Sequence, residues 1–97
     1  MHVEAKKIKN ALRDVIDFEL GLDVVSMGLI REIDVQDEAI IITMILTSPM
    51  CPMASMMMQQ VKDRANEVSD KPVGVVLGQE RWKPEFMSED ARDALGI

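Results

Sequence analysis

The sequence predicts a two-layer α+β domain of order αββαβ, with a three-stranded mixed sheet and a short C-terminal helix. Two segments repeat apolar residues at helical spacing, and three short segments rich in β-branched residues lie between and after them. The chain has 97 residues, of which 47% are hydrophobic, so we expect one domain spanning residues 1–97. Helices packed on one face of a small sheet would bury such a core.

The first element is predicted to be a helix over residues 3–16. Its apolar residues recur every three or four positions and form one stripe: Ile8, Ala11, Leu12, Val15 and Ile16. We expect the helix to end near residues 17–21, where Gly21 breaks the pattern.

Two strands are predicted next, over residues 28–35 and 39–46. The turn at residues 36–38 is short, so the strands should form an antiparallel hairpin. The second strand is almost continuously apolar, which predicts a central strand buried on both faces.

The remaining elements alternate in the same way. A second helix is predicted over residues 52–68, a third strand over 73–77 and a last helix over 89–95. Ser88 has the residue type and position of an N-cap. The loop over residues 78–86 should be anchored by its two large aromatic side chains, Trp82 and Phe86.

Composition excludes several classes of function. The formal net charge is −6, whereas nucleic acids and anionic membrane surfaces attract basic proteins. The chain starts without a signal-peptide pattern and has no long apolar run, so we expect a cytoplasmic protein. One cysteine, one histidine and no tyrosine exclude serine–histidine hydrolases and zinc sites built from several histidines or cysteines.

The only cysteine lies where a thiol can be activated. Pro52 favours the first helical position, which makes Cys51 the predicted N-cap, facing unpaired backbone N–H groups. That environment favours thiolate over thiol, and Thr47 and Ser48 place two hydroxyl groups nearby. The alternative is a small buried apolar cysteine, and the residues alone do not decide between the two.

Methionines crowd around this cysteine. Thiolate and thioether ligands together suit Cu(I), which gives one hypothesis, a copper carrier. A second is core filling by Met57 and Met58, which lie on the apolar stripe of the second helix. A third is an adaptable contact surface made of Met50, Met53 and Met56.

Three acidic residues, Asp17, Glu19 and Asp23, follow the first helix. Carboxylates grouped in this way can bind hard metal ions or accept protons. The more ordinary interpretation is a solvated turn at a helix end.

The chain resembles the SufT/PaaD-like family of iron–sulfur cluster assembly domains over nearly its whole length. The resemblance rests on four segments in order: VIDFELGLDVV at 15–25, SMGLI at 26–30, TMILTSPMCP at 43–52, and WKP at 82–84 followed by MSEDAR at 87–92 and LG at 95–96. The first is similar to the family's Asp-Pro-Glu segment and the third to its Leu-Thr-Thr-Pro-Gly-Cys-Pro motif.

The resemblance implies a binding surface where Cys51, as the metal ligand, meets a group of acidic and hydroxyl side chains and one apolar neighbour: Asp17, Glu19, Thr47, Ser48 and Leu20. Three positions depart from the family pattern. Phe18 replaces proline, Met50 replaces glycine, and Ser48 replaces threonine but keeps the hydroxyl. The first two changes alter the stiffness of the turn and of the cysteine loop.

We therefore expect a non-enzymatic accessory protein that carries or targets a transient iron–sulfur cluster, with assembly proteins and apo-protein clients as partners. Clusters normally take about four protein ligands. A homodimer, a partner or a small thiol would have to complete the set, unless Cys51 handles only persulfide or iron. The alternative is a metal-free adaptor that bridges the assembly machinery or an oxygenase complex to its client. A thiol enzyme ranks last with the copper carrier, because only His2 is available as a histidine base.

Overall fold

The computed structural model describes residues 3–17, 21–47 and 54–96 of the chain. Its helices and strands, in chain order, are α1 (Val3–Ala11), β1 (Ile16–Asp17), β2 (Leu22–Asp23), β3 (Ile30–Val35), β4 (Ile40–Met44), α2 (Ala54–Val68), β5 (Val73–Leu77) and α3 (Glu89–Leu95). The predicted α+β class is confirmed, and the pair β1–β2 adds a small second sheet.

The main sheet has the order β3-β4-β5 and is mixed, as predicted. β3 and β4 form the expected antiparallel hairpin, whose register runs from Val35 opposite Ile40 to Ile30 opposite Met44. β4 and β5 are parallel, with Ile40 opposite Val73 and Met44 opposite Leu77. The sequence patterns left this strand order open. Its parallel half explains why a whole helix, α2, separates β4 from β5.

The prediction that the second strand is buried on both faces is wrong. Burial alternates along β4, where Ile40, Ile42 and Met44 are fully buried but Ile41 and Thr43 are only half-buried. The cause is that α1 packs against β3 and α2 against β5, so both helices cover the same face of the sheet.

The first helix ends earlier than predicted. The α-helix stops at Ala11, a single 3₁₀ turn follows over Leu12–Asp14, and Ile16 belongs to a strand with 38% of its surface exposed. Contacts with other parts of the chain explain this. Arg64 of α2 donates to the Ala11 carbonyl at 3.2 Å, and Val15 accepts from the Val24 N–H at 2.9 Å.

Arg64 also binds two carboxylates, Glu67 on its own helix and Asp14 at 2.8 Å. The hydrogen bond with Glu67 and the nearby Asp14 charge raise the pKa of the Arg64 guanidinium, against the opposing effect of desolvation. A permanent positive charge therefore links α2 to the end of the first helix.

The C-terminal prediction is confirmed. The Ser88 hydroxyl accepts the Ala91 N–H at 3.2 Å and caps α3, and Gly96 ends this helix in the left-handed conformation. Met57, Val61 and Ala65 form the buried stripe of α2, so Met57 fills core space as the second methionine hypothesis expected. Met58 is partly buried against the same core.

The close approach at Gly28 gives a test of this packing. Gly28 has φ +75°, and a Cβ atom there would lie 2.1 Å from the Phe86 carbonyl oxygen. We expect Gly28→Ala to lower the free energy of unfolding by about 3 kcal/mol or more, from backbone strain and a clash with main chain. Urea unfolding followed by circular dichroism measures this loss.

Gly96→Ala is the matched control. Its φ is +74°, and nothing lies within 4 Å of the added Cβ, so it should cost only the strain of about 1 kcal/mol. Equal losses in the two variants would show that the Phe86 contact has no energetic role.

Candidate functional site

The antiparallel pair β1–β2, which carries Asp17 and Asp23 and is called the acidic hairpin below, is joined to the end of β4 by three backbone hydrogen bonds. The Val24 N–H donates to Val15 at 2.9 Å, the Leu29 N–H to Val24 at 3.0 Å, and the Ile45 N–H to Leu29 at 2.8 Å. All four residues are at most 5% exposed. This buried ladder links β1–β2 to the chain segment that precedes Cys51 in the sequence.

Asp17 lies on the small hairpin. It is opposite Leu22 in the β1–β2 pair, and its carbonyl accepts the Gly21 N–H at 2.7 Å. With 5% exposure, Asp17 is the one buried polar or charged residue in the described ranges. Aspartate side chains are seldom this buried, and the low exposure keeps Asp17 a candidate site residue.

Asp23 has a structural role in the same hairpin. Its carboxylate accepts the Ser26 N–H at 2.9 Å, and its carbonyl accepts the Met27 N–H at 3.0 Å. This arrangement supports the turn interpretation for Asp23.

Thr47 is one of the residues that line a cavity of about 350 Å³. The cavity is formed where the chain leaves β4 and β5, and it is lined by Ile45, Leu46, Thr47, Leu77, Gly78, Gln79, Glu80, Arg81 and Trp82. Ligands of α/β sheets bind beyond the carboxyl ends of parallel strands, and this cavity has that position relative to β4 and β5.

Two long-range contacts hold the outer wall of this cavity. The Trp82 Nε1–H donates to the Met27 carbonyl at 2.7 Å. Glu80 pairs with Arg31 at 3.2 Å, and the Arg31 guanidinium lies over the Phe86 ring, 3.7 Å from its centroid. The predicted anchoring of this loop by its aromatic residues is therefore confirmed.

The structure places two of the six predicted site residues, Asp17 and Thr47. The other four, Glu19, Leu20, Ser48 and Cys51, lie outside the described residues, so the meeting of all six at one surface stays a prediction. The N-cap position of Cys51 also stays a prediction for that reason.

Sequence reasoning missed the second sheet and the cavity. Gly21, with φ +71°, was a usable signal for a hairpin turn, but two-residue strands leave almost no periodic pattern. Within the described ranges, no three side chains of the metal-binding types come together. No described helix combines the length and apolar character needed to cross a bilayer.

Comparison with known proteins gives consistent matches. The model of the iron–sulfur cluster assembly protein family matches residues 5–77. The chain is 38% identical to the Fe–S protein maturation auxiliary factor YitW of Bacillus subtilis, covering 95% of this chain and 93% of that relative. It is 39% identical to the Fe–S protein maturation auxiliary factor SufT of Staphylococcus aureus, covering 86% and 98%.

Solved structures agree with these matches. A domain of unknown function from Bacillus anthracis has a TM-score of 0.82 and 37% identity, covering 97% of this chain and 92% of that one. A conserved hypothetical protein from Thermotoga maritima has a TM-score of 0.75 and 36% identity, covering 95% and 93%.

The wall of the cavity gives a second test. Trp82→Phe keeps an aromatic ring but leaves the Met27 carbonyl without its indole donor. We expect a loss of about 1–3 kcal/mol in the free energy of unfolding, because the deprived acceptor is partly buried. Chemical unfolding followed by circular dichroism measures it without relying on tryptophan emission.

Glu80→Gln is the control on the same segment. It breaks an ion pair whose carboxylate is 54% exposed, so it should cost less than about 1 kcal/mol. A Trp82→Phe protein as stable as wild type would contradict the anchoring role of this hydrogen bond.

Proposed function

Because the chain belongs to the iron–sulfur cluster assembly protein family, we propose that it is an accessory factor in the maturation of iron–sulfur proteins. In this proposal, Cys51 supplies a thiolate that holds a cluster for a short time and releases it to an apo-protein. The cluster is cargo, and the chain is a carrier rather than an enzyme.

One observation carries the proposal: the family match spans residues 5–77, a range that contains every predicted site residue. The relatives that match over most of their length are named as auxiliary factors of Fe–S protein maturation. These names support an accessory role in the maturation of iron–sulfur proteins.

The number of ligands supports a carrier. A stable cluster takes about four protein ligands, whereas this chain contains one cysteine. The remaining ligands would come from a second copy in a homodimer, from an assembly protein or from a small thiol. Release then needs only exchange of thiolates: each bond from iron to a donor sulfur is replaced by one to a client cysteine, without a change in oxidation state.

The other predicted residues would adjust this site. The hydroxyl groups of Thr47 and Ser48 can donate hydrogen bonds to a thiolate or to bound sulfide. Asp17 and Glu19 would orient the site or take up the protons that client thiols lose on binding. Leu20 would border the site and limit the access of water to the cargo.

A metal-free adaptor is the alternative. The observation that favours it is Met56, which has 48% of its surface exposed on the first turn of α2. Exposed methionines make adaptable contact surfaces. In this case the methionine-rich segment would bind the partner, and Cys51 would have no metal to hold.

Anaerobic reconstitution with iron and sulfide distinguishes the cluster carrier from the metal-free adaptor. We expect wild type to take up iron and sulfide with visible charge-transfer absorption, and Cys51→Ala to take up neither, because it has lost its only thiolate. Met56→Leu is the matched control from the same segment and should load like wild type. Equal failure of wild type and Cys51→Ala would overturn independent cluster binding and favour the adaptor.

Substitution of the residues proposed to surround Cys51 should weaken cluster binding without abolishing it. Glu19→Gln and Thr47→Val should each weaken cluster retention about tenfold, the usual effect of losing a group that supports a metal ligand. The rate of cluster loss to a chelator measures this. Glu38→Gln, in the exposed turn after β3, is the control and should retain clusters like wild type. Unchanged retention in both site variants would remove these residues from the site.

A further inference from the structure

The two edge strands of the main sheet, β3 and β5, differ in how well they are protected against pairing with a further strand. β3 carries the charged side chains of Arg31, Glu32 and Asp34, and its pairing is interrupted by a bulge between Ile30 and Glu32. Charges and bulges are the devices by which proteins prevent strands from adding to an edge. β5, with the sequence VGVVL, has no charge, no proline and no irregularity in its register.

The outer edge of β5 has free hydrogen-bonding groups. The Pro72 carbonyl accepts the Ile40 N–H at 2.9 Å, and the Gly78 N–H donates to the Met44 carbonyl at 2.8 Å. The backbone N–H and C=O groups of the even-numbered residues of β5 therefore point toward β4. These groups alternate in direction along a strand, so those of Val73, Val75 and Leu77 point away from β4. The Val73 N–H is taken by the Asn66 side chain at 3.2 Å. Among the described residues, none bonds to Val75 or Leu77 on that side.

A groove runs beside this edge. It has a volume of about 380 Å³, lies between α2 and β5, and is lined by Ser55, Met58, Gln59, Lys62, Gly74 and Val75. Lys62 forms no ion pair with another residue in the described ranges. Val76 and Leu77, at the far end of the strand, are 46% and 50% exposed.

A second copy of the chain is a less suitable occupant of this edge than a single strand. Because α2 packs against β5, a copy paired edge to edge would bring its own α2 alongside this one, and the two helices would have to fit beside strands that lie about 4.8 Å apart. Packed helices need about 8–10 Å between their axes. A single strand has no such helix and can lie along the edge.

We propose that the free edge of β5 binds one extended segment of a partner protein by strand addition. Val75 and Leu77 would supply the main-chain hydrogen bonds, and the groove would take an apolar side chain beside Met58. Lys62 would pair with a carboxylate of the segment. Leu77 also lines the cavity at Thr47, so a segment that continues past β5 would reach this cavity.

Selection from a displayed library of random twelve-residue peptides tests this proposal on metal-free protein. We expect enriched peptides to alternate apolar residues and to carry an aspartate or glutamate. Their binding should slow hydrogen exchange at the Val75 and Leu77 amides, while the Val73 amide, already bonded to Asn66, changes little. Failure to enrich any peptide, or protection confined to other residues, would overturn the proposal.

Variants separate the edge from the rest of the surface. Leu77→Glu should weaken peptide binding about tenfold or more, since a charged side chain guards an edge strand against pairing and also repels an acidic peptide. Val75→Pro should abolish binding, because it removes one donor. Ile16→Glu is the matched control at another exposed apolar residue and should bind normally. Circular dichroism checks that each variant folds, and binding unchanged in folded Leu77→Glu would contradict the proposal.

Charge reversal gives an independent check. Lys62→Glu should weaken the binding of an acidic peptide about tenfold. Replacing the peptide's acidic residue by lysine should restore binding to this variant. No restoration would overturn the proposed role of Lys62. Cys51→Ala should bind peptides like wild type, so loss of cluster binding and loss of docking are separate results.

Discussion

The buried ladder from Val15 through Val24 and Leu29 to Ile45 determines where the acidic hairpin lies. A hairpin with two residues in each strand cannot hold its own position in water. Its place depends on hydrogen bonds to segments that the core already fixes, and the four ladder residues are at most 5% exposed. Breaking one of these bonds would leave a buried N–H or carbonyl unpaired, which costs free energy. Asp17 therefore takes its position from the main sheet.

Residues 82–88 of the C-terminal segment hold residues 26–28, which follow the acidic hairpin in the chain. Ser88 donates its backbone N–H to the Ser26 carbonyl at 2.8 Å, the Trp82 indole binds the Met27 carbonyl, and Phe86 closes against Gly28. Residues 26–28 thus contact both the acidic hairpin and the wall of the cavity at Thr47. Both parts of the candidate site share one support, although they are far apart along the chain.

Local patterns predicted those elements whose stability is local or follows from simple periodicity. The cap at Ser88 and the limits of β5 are examples, because one side chain or one apolar run defines each. Val15 and Ile16 show the opposite case. Their spacing continues the apolar stripe of α1, yet Val15 bonds to Val24 and Ile16 pairs opposite Asp23. Helical periodicity describes only the segment itself, so it cannot reveal partners that lie later in the chain.

The candidate site was predictable to a different degree. Asp17 was one of three acidic residues that the sequence itself brought forward, and the family resemblance then placed it at the binding surface. Its burial depends on strands too short to leave a pattern. The alternating burial of β4 could not be read from its sequence either. A run of isoleucines looks the same whether one face or two are covered, and the covering helices are distant in the chain.

The proposed carrier site would bring together groups of like charge. A helix start favours a thiolate, whereas neighbouring carboxylates disfavour it, so the empty site would hold groups that repel one another. An iron-containing cargo relieves that repulsion because it is attracted to both. With one cysteine, this attraction would be too weak for permanent storage, and a partner's ligands would complete the set. Docking at β5 would raise the local concentration of those ligands near Thr47, so retention and release would both depend on the partner.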